Sequence, residues 1–150
     1  MSKARNRPRN AAQDGRALRA HGARLEDFEP ASFLNIDVDV RSRRSLAPLA
    51  AAWPWAQRPL SDSHWLVFSA CGNAITAEAT AQELVEQVNA LPPVARRSWN
   101  LASTRTFDIG VQAGMGPRAF EKVQLTPDTL ARIASIRARI RVTVYPPQRV

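Results

Sequence analysis

From Leu34 to Val40 apolar and polar residues alternate, which places Leu34, Ile36, Val38 and Val40 on one face and Asn35, Asp37 and Asp39 on the other. A period of two is that of a strand with one face buried. The same pattern returns twice. Phe107, Ile109 and Val111 alternate with Thr106, Asp108, Gly110 and Gln112 in a strand predicted over residues 106–113. Ile140, Val142 and Val144 alternate with Arg139, Arg141, Thr143 and Tyr145 in a last strand, which Pro146 and Pro147 end. His64 to Cys71 is apolar, aromatic and β-branched enough to form a further strand, after a loop that runs through Pro59 to Ser63.

Between these segments the period changes to that of helices. Leu46 to Ala52 reads as a short helix with Ser42 or Ser45 ahead of it and Pro48 in its first turn, where a missing N–H does least harm. Thr76 or Thr80 caps a helix reaching about Ala90, whose buried stripe is Leu84, Val85, Val88 and Leu91. After Pro92 and Pro93, residues 94–101 continue helically, with Val94, Ala95, Trp99 and Leu101 expected inward and Arg96 and Arg97 outward. Thr126-Pro127-Asp128 opens a helix with a cap, a first-turn proline and an acid near the positive end of the dipole, and with Leu130, Ile133 and Ala134 inward.

Strands with one apolar face, separated by helices, predict an α+β two-layer sandwich: a sheet of about four strands with helices on one face. The other face would carry Asn35, Asp37, Asp39, Thr106, Asp108, Gln112, Arg139, Arg141, Thr143 and Tyr145. Acids on the first strand and arginines on the last predict that these two strands lie close rather than at opposite edges of the sheet, since opposite charges across neighbouring strands stabilise by about 0.2–1 kcal/mol.

Composition divides the chain into a basic arm, residues 1–28, expected to be disordered, and one domain, residues 29–150. Of the net +8 charge, +6 lies in residues 1–25 (Lys3, Arg5, Arg7, Arg9, Arg16, Arg19 and Arg24 against Asp14). Leu18 and Leu25 are the only large apolar residues there, too few to offset the entropy of ordering it. The usual inference from positive charge to nucleic acid therefore applies to the arm alone, through Lys3, Arg5, Arg7 and Arg9. The arm shares Arg and Ala richness with mitochondrial transit peptides, but Ser2 is its only serine and Asp14 interrupts the cationic run. Arg/Ala-rich sequence without pattern is also what translation upstream of a natural start produces. No run approaches the roughly 18 apolar residues of a membrane-spanning helix. With Cys71 the only cysteine, neither an internal disulfide nor a thiolate metal cage can form. These features suit a soluble, cytoplasmic protein that does not use the membrane.

Asp37 and Asp39 are the sharpest chemical candidates, because carboxylates two apart on a strand project from one face, as phosphoryl transfer with Mg²⁺ requires. Haloacid-dehalogenase phosphatases open in this way, but their later acidic pair has no counterpart after Asp39. The alternative is a solvated strand face paired with arginine. His21 lies in the arm, His64 reads as a polar strand end, and Cys71 reads as a small core residue rather than a nucleophile paired with His64. The Gly114-Met115-Gly116 loop lacks the lysine and the following helix of a phosphate loop. Trp53 and Trp55 flank Pro54 and are the tryptophans expected at the surface, while Arg41, Arg43 and Arg44 form one basic cluster and Arg96 and Arg97 another.

Four segments, Phe33-Leu34-Asn35-Ile36-Asp37-Val38-Asp39, Arg96-Arg97-Ser98-Trp99, Phe107-Asp108-Ile109-Gly110 and Val142-Thr143-Val144-Tyr145, resemble those of small bacterial α+β proteins classed as domains of unknown function. Some of these are similar in style to toxin-neutralising immunity proteins. The resemblance spans about Phe33 to Pro146 and implies a bacterial cytosolic protein without a catalytic set or a cofactor. The expectation is a noncatalytic domain that binds another protein. Its candidate surface is Asp37, Asp39, Asp108, Arg139, Arg141 and Tyr145, with Trp53, Trp55 and the glycine loop beside it, and no metal. The rivals are nucleic-acid association through the arm and a metal-dependent phosphatase built on Asp37 and Asp39.

Overall fold

Strand β1 (Ser32–Arg41) holds the centre of the molecule, with Ile36, Val38 and Val40 at 0% exposure. A computed structural model describes residues 31–53, 57–68, 76–115 and 122–148. The basic arm, Trp55, Cys71 and Gly116 lie outside the described residues. After β1 come α1 (Ala47–Ala52), β2 (Gln57–Ser61), β3 (His64–Phe68), α2 (Ala77–Asn89), α3 (Pro93–Leu101), β4 (Thr104–Gln112), α4 (Pro127–Ser135) and β5 (Arg139–Tyr145).

The strands form one mixed sheet in the order β2-β3-β1-β4-β5. β1 pairs antiparallel with β3 on one side and β4 on the other, whereas β4 and β5 run parallel. A parallel pair needs a long crossover, and the connection containing α4 supplies it. β2 is a strand that the sequence reading assigned to a loop because of Pro59. It lies at the edge of the sheet, where proline is tolerated, and its pairing with β3 shifts between Pro59 and Ser61.

The helices cover the apolar face. Leu46, Leu49, Leu84, Val85, Val88, Ala95, Trp99, Ile133 and Ile136 are buried against Ile36, Val38, Val40, Phe107 and Ile109. Trp99 sits at 0% exposure and donates its indole N–H to the Ile136 carbonyl at 3.0 Å. Thr76 and Thr126 cap α2 and α4, each hydroxyl accepting from the backbone N–H three residues on. Ser45 Oγ accepts from Ala47 N at 3.2 Å at the start of α1. α4 ends in a Schellman turn, with Arg137 N bonded to Ala134 O and Ala138 N to Ile133 O, and Arg137 takes the left-handed conformation at φ 58° that glycine usually fills.

Four expectations need correction. Trp53 is buried, not exposed, because α1 docks on α3 and stacks it against Trp99 with ring centroids 5.7 Å apart. Val94 and Leu101 are exposed, since α3 turns Ala95 and Trp99 to the core instead. Leu130 and Ala134 are likewise exposed, since α4 buries Thr129 and Ile133. β1 and β5 do lie close, with β4 alone between them and Arg141 within 3.8 Å of Asp39. The apolar side of β5 is uncovered, with Ile140, Val142 and Val144 exposed by 41%, 56% and 64%. The cause is the seat of α4, which packs on α2. Glu78 in the first turn of α2 accepts from Thr126 N at 2.9 Å, from the Thr126 hydroxyl at 2.8 Å and from the Thr129 hydroxyl at 2.5 Å. Gln82 adds a bond to the Thr129 hydroxyl at 3.0 Å. These bonds tie the start of α4 to α2, and the β5 side chains stay exposed.

Candidate functional site

Alternation along β1, β4 and β5 places Asp37, Asp39, Asp108, Arg139, Arg141 and Tyr145 on the face opposite the helices. Cross-strand register then brings them together. Asp37 stands opposite Asp108, and Asp108 opposite Arg141, so three strands contribute to one charged row. Arg141 bonds Asp108 at 3.2 Å and reaches across β4 to Asp39 at 3.8 Å. The attraction expected between the first and last strands thus operates mainly through β4.

Asp39 is the best-satisfied member of the row. It keeps only 7% exposure, and His64 Nε2 lies 3.1 Å from its Oδ1. Arg41 contacts both carboxylate oxygens at 3.4 Å. Asp108 accepts from the Thr143 hydroxyl at 2.6 Å as well as from Arg141. Asp37 differs. Its one hydrogen bond among the described residues comes from the Asn35 amide at 2.7 Å, while burial and then the facing Asp108 push its carboxyl up to about 6. Like charges directly opposed are the arrangement that strand pairing disfavours, and here their neighbours absorb it.

Gly110 makes room for this arrangement. A Cβ at that position would come within 2.6 Å of Asn35 Oδ1 and 3.5 Å of the Tyr145 ring. The bare backbone leaves a slot in which the Asn35 amide can sit beside Asp37, with Tyr145 over it. A shallow depression of 380 Å³ opens beside Asp39, Arg41, Thr106, Arg139 and Arg141. Arg41 was legible as the next residue in the β1 alternation. His64 was not, because only the β1–β3 register, Arg41 against His64, carries it to Asp39.

Chemically the row is a compensated ion network. Both oxygens of Asp39 are engaged by cations, and among the described residues no group of three His, Cys, Asp or Glu side chains could hold a metal. The two basic clusters of the sequence also meet elsewhere, around a 170 Å³ cavity lined by Ser42, Arg44, Ser45, Arg97 and Ser98. Trp53 takes no part in either surface. No described helix is long and apolar enough to cross a membrane. No protein-family model, curated protein or solved structure matches the chain.

Proposed function

We propose that the domain is a noncatalytic protein-binding module whose contact surface is the charged face of the sheet, in the manner of an immunity-type protein. The observation that supports this reading is the cross-strand row itself. Asp39, Asp108, Arg41 and Arg141 hold one another, and exposed Arg139 and Tyr145 flank them. Patterned charge of both signs on a rigid sheet gives a partner specificity and register more than raw affinity. Asp39 and Asp108 are each engaged by arginine, which supports reading them as parts of a recognition surface.

The test uses the full chain as bait in an extract of its native host, beside Arg41→Glu and Asp108→Asn, neither of which lies on β5. The expected outcome is a protein captured by the wild type and lost with both substitutions. Capture that both variants retain, or none under several salt conditions, overturns the reading. The net +6 of residues 1–25 favours nucleic-acid association as a second reading. In that case removal of residues 1–25 abolishes a binding that weakens steeply with salt, and retained or salt-insensitive binding refutes it.

A further inference from the structure

We infer that β5 is a self-recognition strand, along which two copies of this chain pair antiparallel about a twofold axis at Val142, joining their sheets edge to edge. This goes beyond the partner-binding reading and does not rest on it.

The free edge can be read from one hydrogen bond. Ala113 N donates to Tyr145 O at 2.9 Å, so the backbone groups of Tyr145 point towards β4. The N–H and C=O of a strand residue share a side and alternate with the next residue's. Arg139, Arg141, Thr143 and Tyr145 therefore bond inward, and Ile140, Val142 and Val144 present theirs outward. These same three residues carry the exposed apolar side chains. Among the described residues no strand pairs with this edge, so β5 offers outward backbone groups and uncovered β-branched side chains at the same positions, the combination used in strand addition.

The strand also fits itself. With Val142 facing its own copy, Ile140 faces Val144, Arg141 faces Thr143 and Arg139 faces Tyr145. Apolar meets apolar, and no arginine stands directly opposite another. Each Arg141 is already neutralised by its own Asp108 and Asp39. Moving the axis to Arg141 would set that residue against its own copy, and moving it to Thr143 would push Ile140 and Arg139 onto Pro146 and Pro147. A parallel pairing in matching register would oppose like arginines throughout. A twofold contact uses the same patch on both copies, and this strand has such a patch in one register.

The experiment is sedimentation equilibrium of the full chain over a concentration series, with Val142→Lys, Val142→Glu and their equimolar mixture alongside. Wild type should double in mass with a dissociation constant on the order of 10–100 μM, the range of small interfaces. Each variant alone should remain a monomer with wild-type circular dichroism, and the mixture should recover the dimer, because Lys then faces Glu. Should either single variant unfold, the double variant Ile140→Lys/Val144→Glu, whose new charges face each other across the same axis, should associate in a salt-sensitive way. A wild type that stays monomeric up to about 1 mM, association that survives each single charge, or complementary charges that fail to restore it overturns the inference.

Discussion

The two edges of the sheet end in opposite ways. At one, β2 contains Pro59 and breaks register with β3, both of which discourage another strand from joining. At the other, β5 runs in unbroken parallel register with β4, holds no proline, and is rich in Ile, Val and Thr. Edge strands are usually blunted, and here only one is. The contrast teaches that readiness to accept another strand is a local property of the β5 edge, which the β2 edge does not share.

The contrast can be broken most severely with proline. Ile109→Pro in β4, which is paired on both sides, should cost more than about 3 kcal/mol and unfold the domain. Val142→Pro removes an N–H that points outward, and should cost about 1 kcal/mol in the monomer while abolishing association. Urea unfolding at low micromolar concentration separates the two, and equal losses would contradict the assigned direction of the β5 backbone.

Next comes the docking of α4. Bonds from Thr129 and then Thr126 hold the Glu78 carboxyl below its usual range. A lowered carboxylate contributes stability above its ordinary pKa and loses it as pH falls through the lowered value. Glu78→Gln should therefore reduce Tm at neutral pH, with the deficit closing in acid. A deficit independent of pH would show that the charge plays no part in seating α4.

Asp37 has the opposite sign. With its carboxyl raised from 3.8 to about 6, the folded state holds a proton that the unfolded chain releases, so stability declines as pH rises through that window. Asp37→Asn should flatten this decline and gain about 1 kcal/mol at pH 7, water screening having reduced the effect at a half-buried site. An unchanged pH profile would place the titration elsewhere. The smallest effect concerns the turn into β5, where Arg137→Gly relieves a left-handed arginine and should add at most about 1 kcal/mol, read as a small rise in Tm.

Much of the architecture was legible in local pattern. The alternation in β4 and from Ile36 onward in β1 assigned both faces, whereas the bulge between Phe33 and Asn35 sets Phe33 rather than Leu34 against the core. Thr76 and Thr126 marked two helix starts, because period and capping are properties of neighbouring residues. Strand order was not legible, since alternation is blind to which strand lies beside which. Asp37 consequently faces Asp108 where arginine was expected. Pro59 concealed β2, as a proline carries no sign of whether its strand lies at an edge. The acids and arginines of the charged row were named from sequence, while His64 joined through register alone. Ile140, Val142 and Val144 read as core for the same reason that Ile109 did, and it takes contacts between distant segments, such as Glu78 with Thr129 fifty-one residues on, to seat α4 elsewhere.

Amide hydrogen exchange along β5, followed residue by residue at about 10 μM and again at about 1 mM, tests the open edge most directly. In the dilute sample Ile140, Val142 and Val144 should exchange quickly while Arg141 and Thr143 stay protected, and in the concentrated sample all five should be slow. Uniform protection along the strand in the dilute sample, or rates of the three outward amides that ignore concentration, would contradict it.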